Sequence, residues 1–262
     1  MRDTYYKDKV VLVTGSSSGL GFGIAEKFLT KGAKVVFNSA NSSKKELQEL
    51  IDPSLRNNMT YFPADMSVPK EIESLFEKIK SSLGTVDILI NNAGIQHLSP
   101  IEHFSVEKWD NIIAVNLSAS FHTTRLALPG MKEKNYGRII NICSAHALVG
   151  SANKSAYVAA KHGLLGLTKV VALENAQTGV TCNAISPGWV LTELVKKQVE
   201  ELAKTEKLDF ESAKKKLLLE KQPSGKFVTI EQVSSLCLFL SGEEAQEIRG
   251  SSFSIDGGWT AT

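Results

Sequence analysis

Short, unbroken apolar runs alternate along this chain with longer segments in which apolar residues recur at helical spacing. The apolar runs fall at residues 10–14, 33–37, 86–90, 137–142 and 180–185. The helical patterns fall at residues 19–31, 68–83, 109–131, 155–176 and 229–240. Unbroken apolar runs are typical of strands that helices cover on both faces of a parallel sheet. The alternation therefore predicts an α/β fold, a Rossmann-type doubly wound parallel sheet of about seven strands.

Bulk composition narrows the classes of partner. The chain has 262 residues and a formal net charge of +2, which excludes nucleic acid or an anionic membrane as its main partner. Its three cysteines, Cys143, Cys182 and Cys237, have no metal-ligand spacing, so we expect no metal site.

No apolar stretch is long enough to span a bilayer, and no signal region is evident, so we expect a cytoplasmic protein. Without a linker or repeat, residues 1–262 are interpreted as one domain.

The segment after the sixth strand has a different composition. Residues 192–222 are dense in Lys and Glu, with apolar residues at helical spacing, which predicts two short amphipathic helices. Ligands of open α/β sheets bind at the carboxyl ends of strands. We therefore hypothesise a substrate lid at about residues 190–222, the alternative being an ordinary solvated helical pair.

A glycine-rich turn joins the first strand to the first helix. Its spacing is Gly-xxx-Gly-x-Gly, which permits a tight turn and lets a pyrophosphate approach the backbone and the helix N-terminus. The alternative is a plain strand-to-helix turn, but the strand before it and the helix after it favour a dinucleotide site. The residues expected at that site are Gly15, Ser17, Ser18, Gly19, Leu20 and Gly21.

Three later strand ends extend this predicted site. Asn38 follows the second strand, where a carboxylate would favour NAD and an arginine NADP. Because no cation stands there or in the glycine turn, we expect NAD, although Lys44 and Lys45 keep NADP open. Asp65 and Met66 are expected beside the adenine, with a helix cap as the alternative role of Asp65, and the fourth strand ends in a small polar turn that is either a cofactor contact or a plain turn, Asn92-Ala93-Gly94.

A proton-transfer site is predicted from three residues. Tyr157 and Lys161 are four apart in a helical pattern and so share one helix face, and Ser144 follows the fifth strand. A cation one turn away favours the phenolate, which predicts a lowered pKa for Tyr157. A serine hydroxyl beside the tyrosine would suit general acid/base interconversion of a carbonyl and an alcohol. The alternative is a surface Tyr–Lys pair.

In these motifs the chain resembles the short-chain dehydrogenase/reductase family. The resemblance implies that Ser144 positions the substrate oxygen, that Tyr157 transfers the proton, and that Lys161 tunes Tyr157 and binds the nicotinamide ribose. It also implies that Asn116 holds a water in a proton relay; a buried asparagine that satisfies helix backbone is the alternative. The residues that it implies at the nicotinamide end are Pro187, Gly188, Val190 and Thr192.

Unusual polar residues surround the predicted proton-transfer site. Each of these residues alone fits better as a solvated, turn or surface residue. A cation, a histidine and two amides converging on one pocket would suit a small carboxylate, and their convergence favours that interpretation. These residues are Gln96, His146, Lys154 and Gln198.

The segments around those residues resemble the family members that oxidise (R)-3-hydroxybutyrate to acetoacetate with NAD. The resemblance implies that the four residues bind the carboxylate and that Trp189 and Trp259 form an apolar wall. It also implies a homotetramer. Two alternatives stay open at this point, a reductase of 3-oxoacyl thioesters and a non-catalytic dinucleotide-binding protein.

Overall fold

A seven-stranded parallel sheet organises the computed structural model, which describes residues 4–261. The strand order is β3-β2-β1-β4-β5-β6-β7, with a crossover between β1 and β4, and every pairing is parallel. The predicted fold class is therefore confirmed. The strands are β1 Val10–Val13, β2 Lys34–Phe37, β3 Met59–Tyr61, β4 Ile88–Asn91, β5 Gly137–Ile142, β6 Val180–Pro187 and β7 Ser252–Ile255.

Helices cover both faces of this sheet. Alternate side chains of a strand point to opposite faces, so Val11 and Val13 of β1 pack in one hydrophobic cluster and Val10 and Leu12 in another. The two clusters explain why the strands are apolar without interruption. The helices are α1 Gly19–Thr30, α2 Lys44–Leu50, α3 Pro69–Ser82, α4 Val106–Ile113, α5 Ala119–Glu133, α6 Ser155–Glu174, α7 Glu193–Glu206, α8 Phe210–Lys221 and α9 Ile230–Ser241.

The helical pattern predicted for residues 109–131 is confirmed, but the segment is not one regular α-helix. The segment is α4 and α5 joined by a π turn over Ala114–Ser118. A π turn inserts an extra residue into the helical repeat, and the spacing of apolar residues does not reveal it. Asn116 lies in this turn, buried, and faces the loop after β4.

The predicted pair of amphipathic helices after β6 is confirmed as α7 and α8. Both begin at a capping side chain, since Thr192 accepts from the Val195 N–H and Asp209 from the Ser212 N–H. The two ends of the segment meet where the Val228 N–H donates to the Trp189 carbonyl at 2.8 Å. We keep the name lid for residues 190–222, and their role as a lid stays a prediction. Within residues 4–261, no helix is long and apolar enough to cross a membrane.

Candidate active site

One cleft runs along the carboxyl ends of β1, β2, β3 and β4, and we call it the cofactor cleft. It encloses about 560 Å³. The α1 N-terminus opens onto it: Ser18 makes no capping hydrogen bond, and no acidic residue stands in the first turn. Free amides at a helix start suit a pyrophosphate. The predicted residues that line the cleft are Gly15, Ser18, Gly19, Leu20, Gly21, Asn38, Asp65, Met66, Asn92, Ala93, Gly94 and Thr192; Ser17 does not.

The glycines of the turn are required by close packing. Gly15 has a φ of +61°, and a Cβ there would lie 2.8 Å from the Cα of Ala93. A Cβ on Gly21 would lie 2.3 Å from the Gly15 carbonyl oxygen and 2.4 Å from the Asn92 Nδ2. Larger residues would push the turn away from the end of β4. This shift would displace the backbone that a phosphate approaches.

Asn38 organises the cleft from inside the protein. Its Oδ1 accepts from the Gly15 N–H at 3.4 Å, and its Nδ2 donates to the carbonyls of Phe62 and Ala64 at 3.3 and 3.1 Å. Its backbone is also paired with Ser16. The side chain is buried and fully used by the protein, so it is unsuited to bind the ribose hydroxyls. The residues beside it that face the cleft are Ser39, Ala40 and Asn41.

Asn92 and Asp65 are also held by protein groups. The Asn92 Nδ2 donates to the carbonyls of Thr14 and Gly15, both at 3.0 Å, which ties β4 to the glycine turn. Asp65 Oδ1 accepts from the backbone and hydroxyl of Ser67 at 2.8 and 2.7 Å. Asp65 is therefore not the N-cap of α3, which begins after Val68. Its other carboxylate oxygen makes no hydrogen bond to the described residues and lies along the cleft.

A nicotinamide dinucleotide fits this cleft. The uncapped α1 N-terminus and the close-packed glycine turn provide the phosphate cradle, which a Cβ at Gly15 or Gly21 would destroy. No lysine or arginine is among the described residues that line the cleft, and Lys44 and Lys45 stand aside on α2.

Ser144, Tyr157 and Lys161 line a second cavity that adjoins the first, and we call it the substrate pocket. It shares Leu20, Asn92, Gly94, Ile95 and Thr192 with the cofactor cleft and encloses about 200 Å³. That volume is below the range of about 300–1,000 Å³ typical of sites for drug-sized ligands. The other lining residues predicted from sequence are Gln96, His146, Lys154, Pro187, Gly188, Trp189, Val190, Gln198 and Trp259.

The first turn of α6 brings Tyr157 and Lys161 to one face, as predicted. The Lys161 Nζ lies 5.7 Å from the Tyr157 ring centroid and donates to the Ile142 carbonyl at 2.8 Å. Desolvation raises the pKa of Tyr157 to about 12, against the neighbouring Ser144 hydroxyl, which lowers it. The prediction that Lys161 lowers the pKa of Tyr157 is therefore wrong for the protein without cofactor, because the effect of burial on this pKa is larger. Burial also lowers the pKa of Lys161.

Asn116 lies outside the substrate pocket lining. Its Oδ1 accepts from the Ile95 N–H at 2.9 Å, and its Nδ2 donates to the Ile95 carbonyl at 3.0 Å. The side chain thus fixes the loop that carries Gln96. The alternative prediction that it satisfies helix backbone is wrong, because both hydrogen bonds go to Ile95, outside any helix. The predicted water contact stays a prediction.

Three residues that line the substrate pocket each have a buried polar atom without a hydrogen-bond partner among the described residues. The atoms are Gln96 Nε2, His146 Nε2 and Trp189 Nε1. An unpaired buried polar group costs about 1–3 kcal/mol, so each of these side chains has a hydrogen bond still to make. Several such residues around one small cavity are typical of a polar ligand site.

The charged state of the pocket follows from burial. Desolvation lowers the pKa of His146 to about 3, with Lys154 and Lys221 adding repulsion, so the imidazole is neutral at pH 7. Its Nδ1 lies 3.2 Å from the Ser144 Oγ. Desolvation and then Lys221 lower the pKa of Lys154 to about 8, while Glu220 raises it. Lys154 still carries most of a positive charge at neutral pH.

Two tryptophans close one side of the pocket. The rings of Trp189 and Trp259 lie 5.8 Å apart with a 31° tilt, and the Lys154 Nζ lies 5.1 Å from the centroid of Trp189. Trp259 also packs edge-on against His146 at 4.9 Å. Asp256 holds the turn that carries Trp259, since its carboxylate accepts from the N–H groups of Gly258 and Thr260.

Gln222 is a supporting residue that the sequence patterns did not reveal. It is fully buried at the end of α8, where its Oε1 accepts from the Trp189 N–H at 2.8 Å and its Nε2 donates to the Lys226 carbonyl. Its contacts join the lid's end to the aromatic wall. They connect residues 33 positions apart, which local periodicity cannot show. Other lining residues missed from sequence are Ile95, Asn111, Val115, Ile142, Cys143 and Val195.

Among the described residues, no group of three or more His, Cys, Asp or Glu side chains could hold a metal ion. The three cysteines are buried and unpaired, and burial raises the pKa of the Cys143 thiol to about 12.

The fold and this cleft together define an oxidoreductase class. Residues 9–203 match the family model described as short chain dehydrogenase, and the chain belongs to that family.

Individual relatives are similar over nearly the whole chain. It is 54% identical over 253 residues to the D-beta-hydroxybutyrate dehydrogenase of Cupriavidus necator, an alignment that covers 97% of this chain and 98% of that one. It is 49% identical to the protein of the same name from Rhizobium meliloti, covering 97% and 99%. The solved structure of L-sorbose reductase from Gluconobacter frateurii, complexed with NADPH and L-sorbose, superposes with a TM-score of 0.92 at 30% identity and covers 99% of each chain.

Proposed function

We propose that this chain catalyses the reversible, NAD-dependent oxidation of (R)-3-hydroxybutyrate to acetoacetate. One observation carries the proposal: Lys154 and three residues with unpartnered buried polar atoms line a cavity of about 200 Å³ together with Tyr157 and Ser144. The names of the relatives from Cupriavidus necator and Rhizobium meliloti support the same substrate.

The carboxylate is recognised by one charge and several neutral donors. Lys154 supplies the charge, and the Gln96 Nε2 and neutral His146 supply hydrogen bonds when the ring is protonated on Nε2. Gln198 reaches the same cavity from the lid. Trp189 and Trp259 then cover the apolar methyl end of a four-carbon acid.

Proton transfer takes place at the Tyr157 hydroxyl. Bound in the cofactor cleft, NAD would supply the acceptor for the hydride that leaves C3 of the substrate. The Tyr157 phenolate accepts the proton of the C3 hydroxyl, while the Ser144 Oγ holds that oxygen in place. Burial holds the pKa of Tyr157 high in the protein alone, so Lys161, 5.7 Å from the ring centroid, would favour the phenolate together with the positive charge of bound NAD. Asn116 fixes the Ile95–Gln96 loop beside it.

NAD is favoured over NADP by the charge of the cofactor cleft. An NADP 2′-phosphate would lie near Ser39, Ala40 and Asn41, none of which is a cation. The cleft therefore leaves that charge uncompensated.

We also propose that copies of this chain self-associate into a homotetramer. Helices α5 and α6 present large apolar side chains to the surface, among them Phe121, Val170 and Leu173, with Leu173 76% exposed. Phe121 and Val170 line one groove between these helices, and exposed apolar surface of this kind is typical of interfaces. Light scattering should give four times the 28.5 kDa chain mass, and a monomer would contradict the proposal.

The decisive experiment is the absorbance of NADH during incubation with NAD and each enantiomer of 3-hydroxybutyrate, repeated with NADP. We expect turnover of the (R) enantiomer with NAD and little of the (S) enantiomer. Turnover of 3-oxoacyl thioesters but not of the free acid would identify a thioester reductase instead. NADH binding without turnover of any alcohol would indicate a non-catalytic dinucleotide-binding protein.

A further inference from the structure

Lys221, the last residue of α8, lies next to the substrate pocket but is not among the residues that line it. Its Nζ lies 5.7 Å from the Trp259 ring centroid, on a ring that itself lines the pocket. The same Nζ donates to the Ser151 Oγ at 3.0 Å, on the loop that carries Lys154. A lid residue is thus fixed against both the aromatic wall and the cation of the pocket.

Two lysines and two tryptophans form one cluster at this side of the pocket. Lys154 lies over the Trp189 ring, Trp189 packs on Trp259, and Lys221 lies over the Trp259 ring. Each cation therefore contacts one ring of the aromatic pair. Cations over indole rings are favourable, which allows two like charges to be held near one partly buried site.

We infer that Lys221 supplies a second positive charge to the carboxylate site and so helps determine the preference for an anionic substrate. The inference rests on the proposed function, because it takes the pocket's ligand to be a carboxylate. Lys221 is a positioning and specificity residue, because its contact with Trp259 and its charge act on the carboxylate site from the side. Nothing requires it to touch the substrate.

The electrostatic environment agrees with this role. Lys221 lowers the pKa of both His146 and Lys154, so its field reaches the pocket interior. The charged and titratable groups that face Lys154 are Lys221 and Glu220 from α8 and His146 from the loop after β5. Glu220 is exposed, so solvent screens it more than the half-buried Lys221.

The charge and the hydrogen bond of Lys221 can be separated by matched variants. Lys221→Gln keeps a donor for Ser151 and removes the charge, whereas Ser151→Ala keeps the charge and removes the bond. Lys221→Arg preserves the charge. Lys215→Gln is the control, because this substitution removes an equal net charge from an exposed position on the same helix.

We expect Lys221→Gln to raise KM for (R)-3-hydroxybutyrate about fivefold at pH 7.5, an effect of the size expected when one positive charge is removed beside a partly solvated carboxylate site. The kcat at saturating NAD should change less than twofold, and the other three variants should stay near the parent. The rise of KM at alkaline pH, as Lys154 loses its proton, should also move to higher pH in Lys221→Gln, because a like charge has been removed.

Calorimetric binding of acetate to the enzyme–NADH complex tests the charge independently of turnover, with the same fivefold loss expected. An unchanged KM and acetate affinity in Lys221→Gln, or an equal loss in Ser151→Ala, would overturn the inference. Absence of turnover by the parent protein, with the acetate effect intact, would instead contradict the proposed function alone.

Discussion

Around the cofactor cleft, the side chains of Thr14, Asn38 and Asn92 bond to neighbouring backbone. Around the substrate pocket, Gln96, His146 and Trp189 each keep a polar atom without a partner among the described residues. The first region holds its shape through its own hydrogen bonds and offers backbone amides to a ligand. The second is completed only by a ligand. Changes in the first should therefore cost stability, and changes in the second should cost substrate recognition or chemistry.

The largest effect is expected at the junction of the two regions. Tyr157→Phe removes the only atom of that side chain proposed to exchange a proton, and we expect kcat to fall by about 10³-fold or more. The ring still packs beside His146, so NADH binding, measured by fluorescence titration, should change less than threefold. Substantial residual turnover would contradict the role of Tyr157.

Lys154→Met should separate recognition from stability. Loss of the cation should raise KM for (R)-3-hydroxybutyrate about 100-fold. Burial lowers the pKa of Lys154 from 10.5 to about 8, so the folded protein binds this proton less tightly than the unfolded chain. The protonated lysine therefore opposes folding below pH 8, and this cost disappears as the pH rises from 8 to 10.5.

The variant should consequently be as stable as the parent or more stable at pH 7, by up to about 3 kcal/mol in denaturant unfolding. At pH 10.5 the advantage should vanish. A variant that loses stability at pH 7 would show that Lys154 supports the fold and not only the ligand.

Asn38→Ala should behave in the opposite way. It leaves the Gly15 N–H and the carbonyls of Phe62 and Ala64 without their partner, which should cost about 2–4 kcal/mol in free energy of unfolding. Affinity for NAD should fall with it, while KM for the hydroxy acid at saturating NAD should not change. Asn41→Ala is the matched control, since Asn41 is exposed and lines the same cleft.

Sequence patterns predicted most of this architecture because its strands and helices are locally encoded. Apolar runs mark strands buried on both faces, and the four-residue spacing of Tyr157 and Lys161 fixes their common face. The lining of the substrate pocket was also predicted, because strand ends and the lid meet at one edge of a parallel sheet.

The parts that sequence did not reveal depend on partners distant in the chain. The sequence predicts Asn38 as a cofactor-binding residue, but Gly15, Phe62 and Ala64 already occupy its amide. The pKa of Tyr157 was expected to fall because Lys161 was visible and the surrounding desolvation was not. No sequence pattern predicted the supporting role of Gln222, because that role depends on its contacts with Trp189 and Lys226.

The smallest expected effect concerns cofactor choice. Ala40 faces the cofactor cleft and is exposed, so Ala40→Arg places a cation where an NADP 2′-phosphate would lie without disturbing the bonds of Asn38. A charge-assisted hydrogen bond is worth about 1.5–3 kcal/mol, so the ratio of kcat/KM for NADP to that for NAD should rise about tenfold or more. Ala40→Gln, which adds length without charge, should leave the ratio within twofold. Because the substrate pocket is separate from this end of the cleft, KM for (R)-3-hydroxybutyrate should be the same in both variants, and a change there would show that the two regions are coupled.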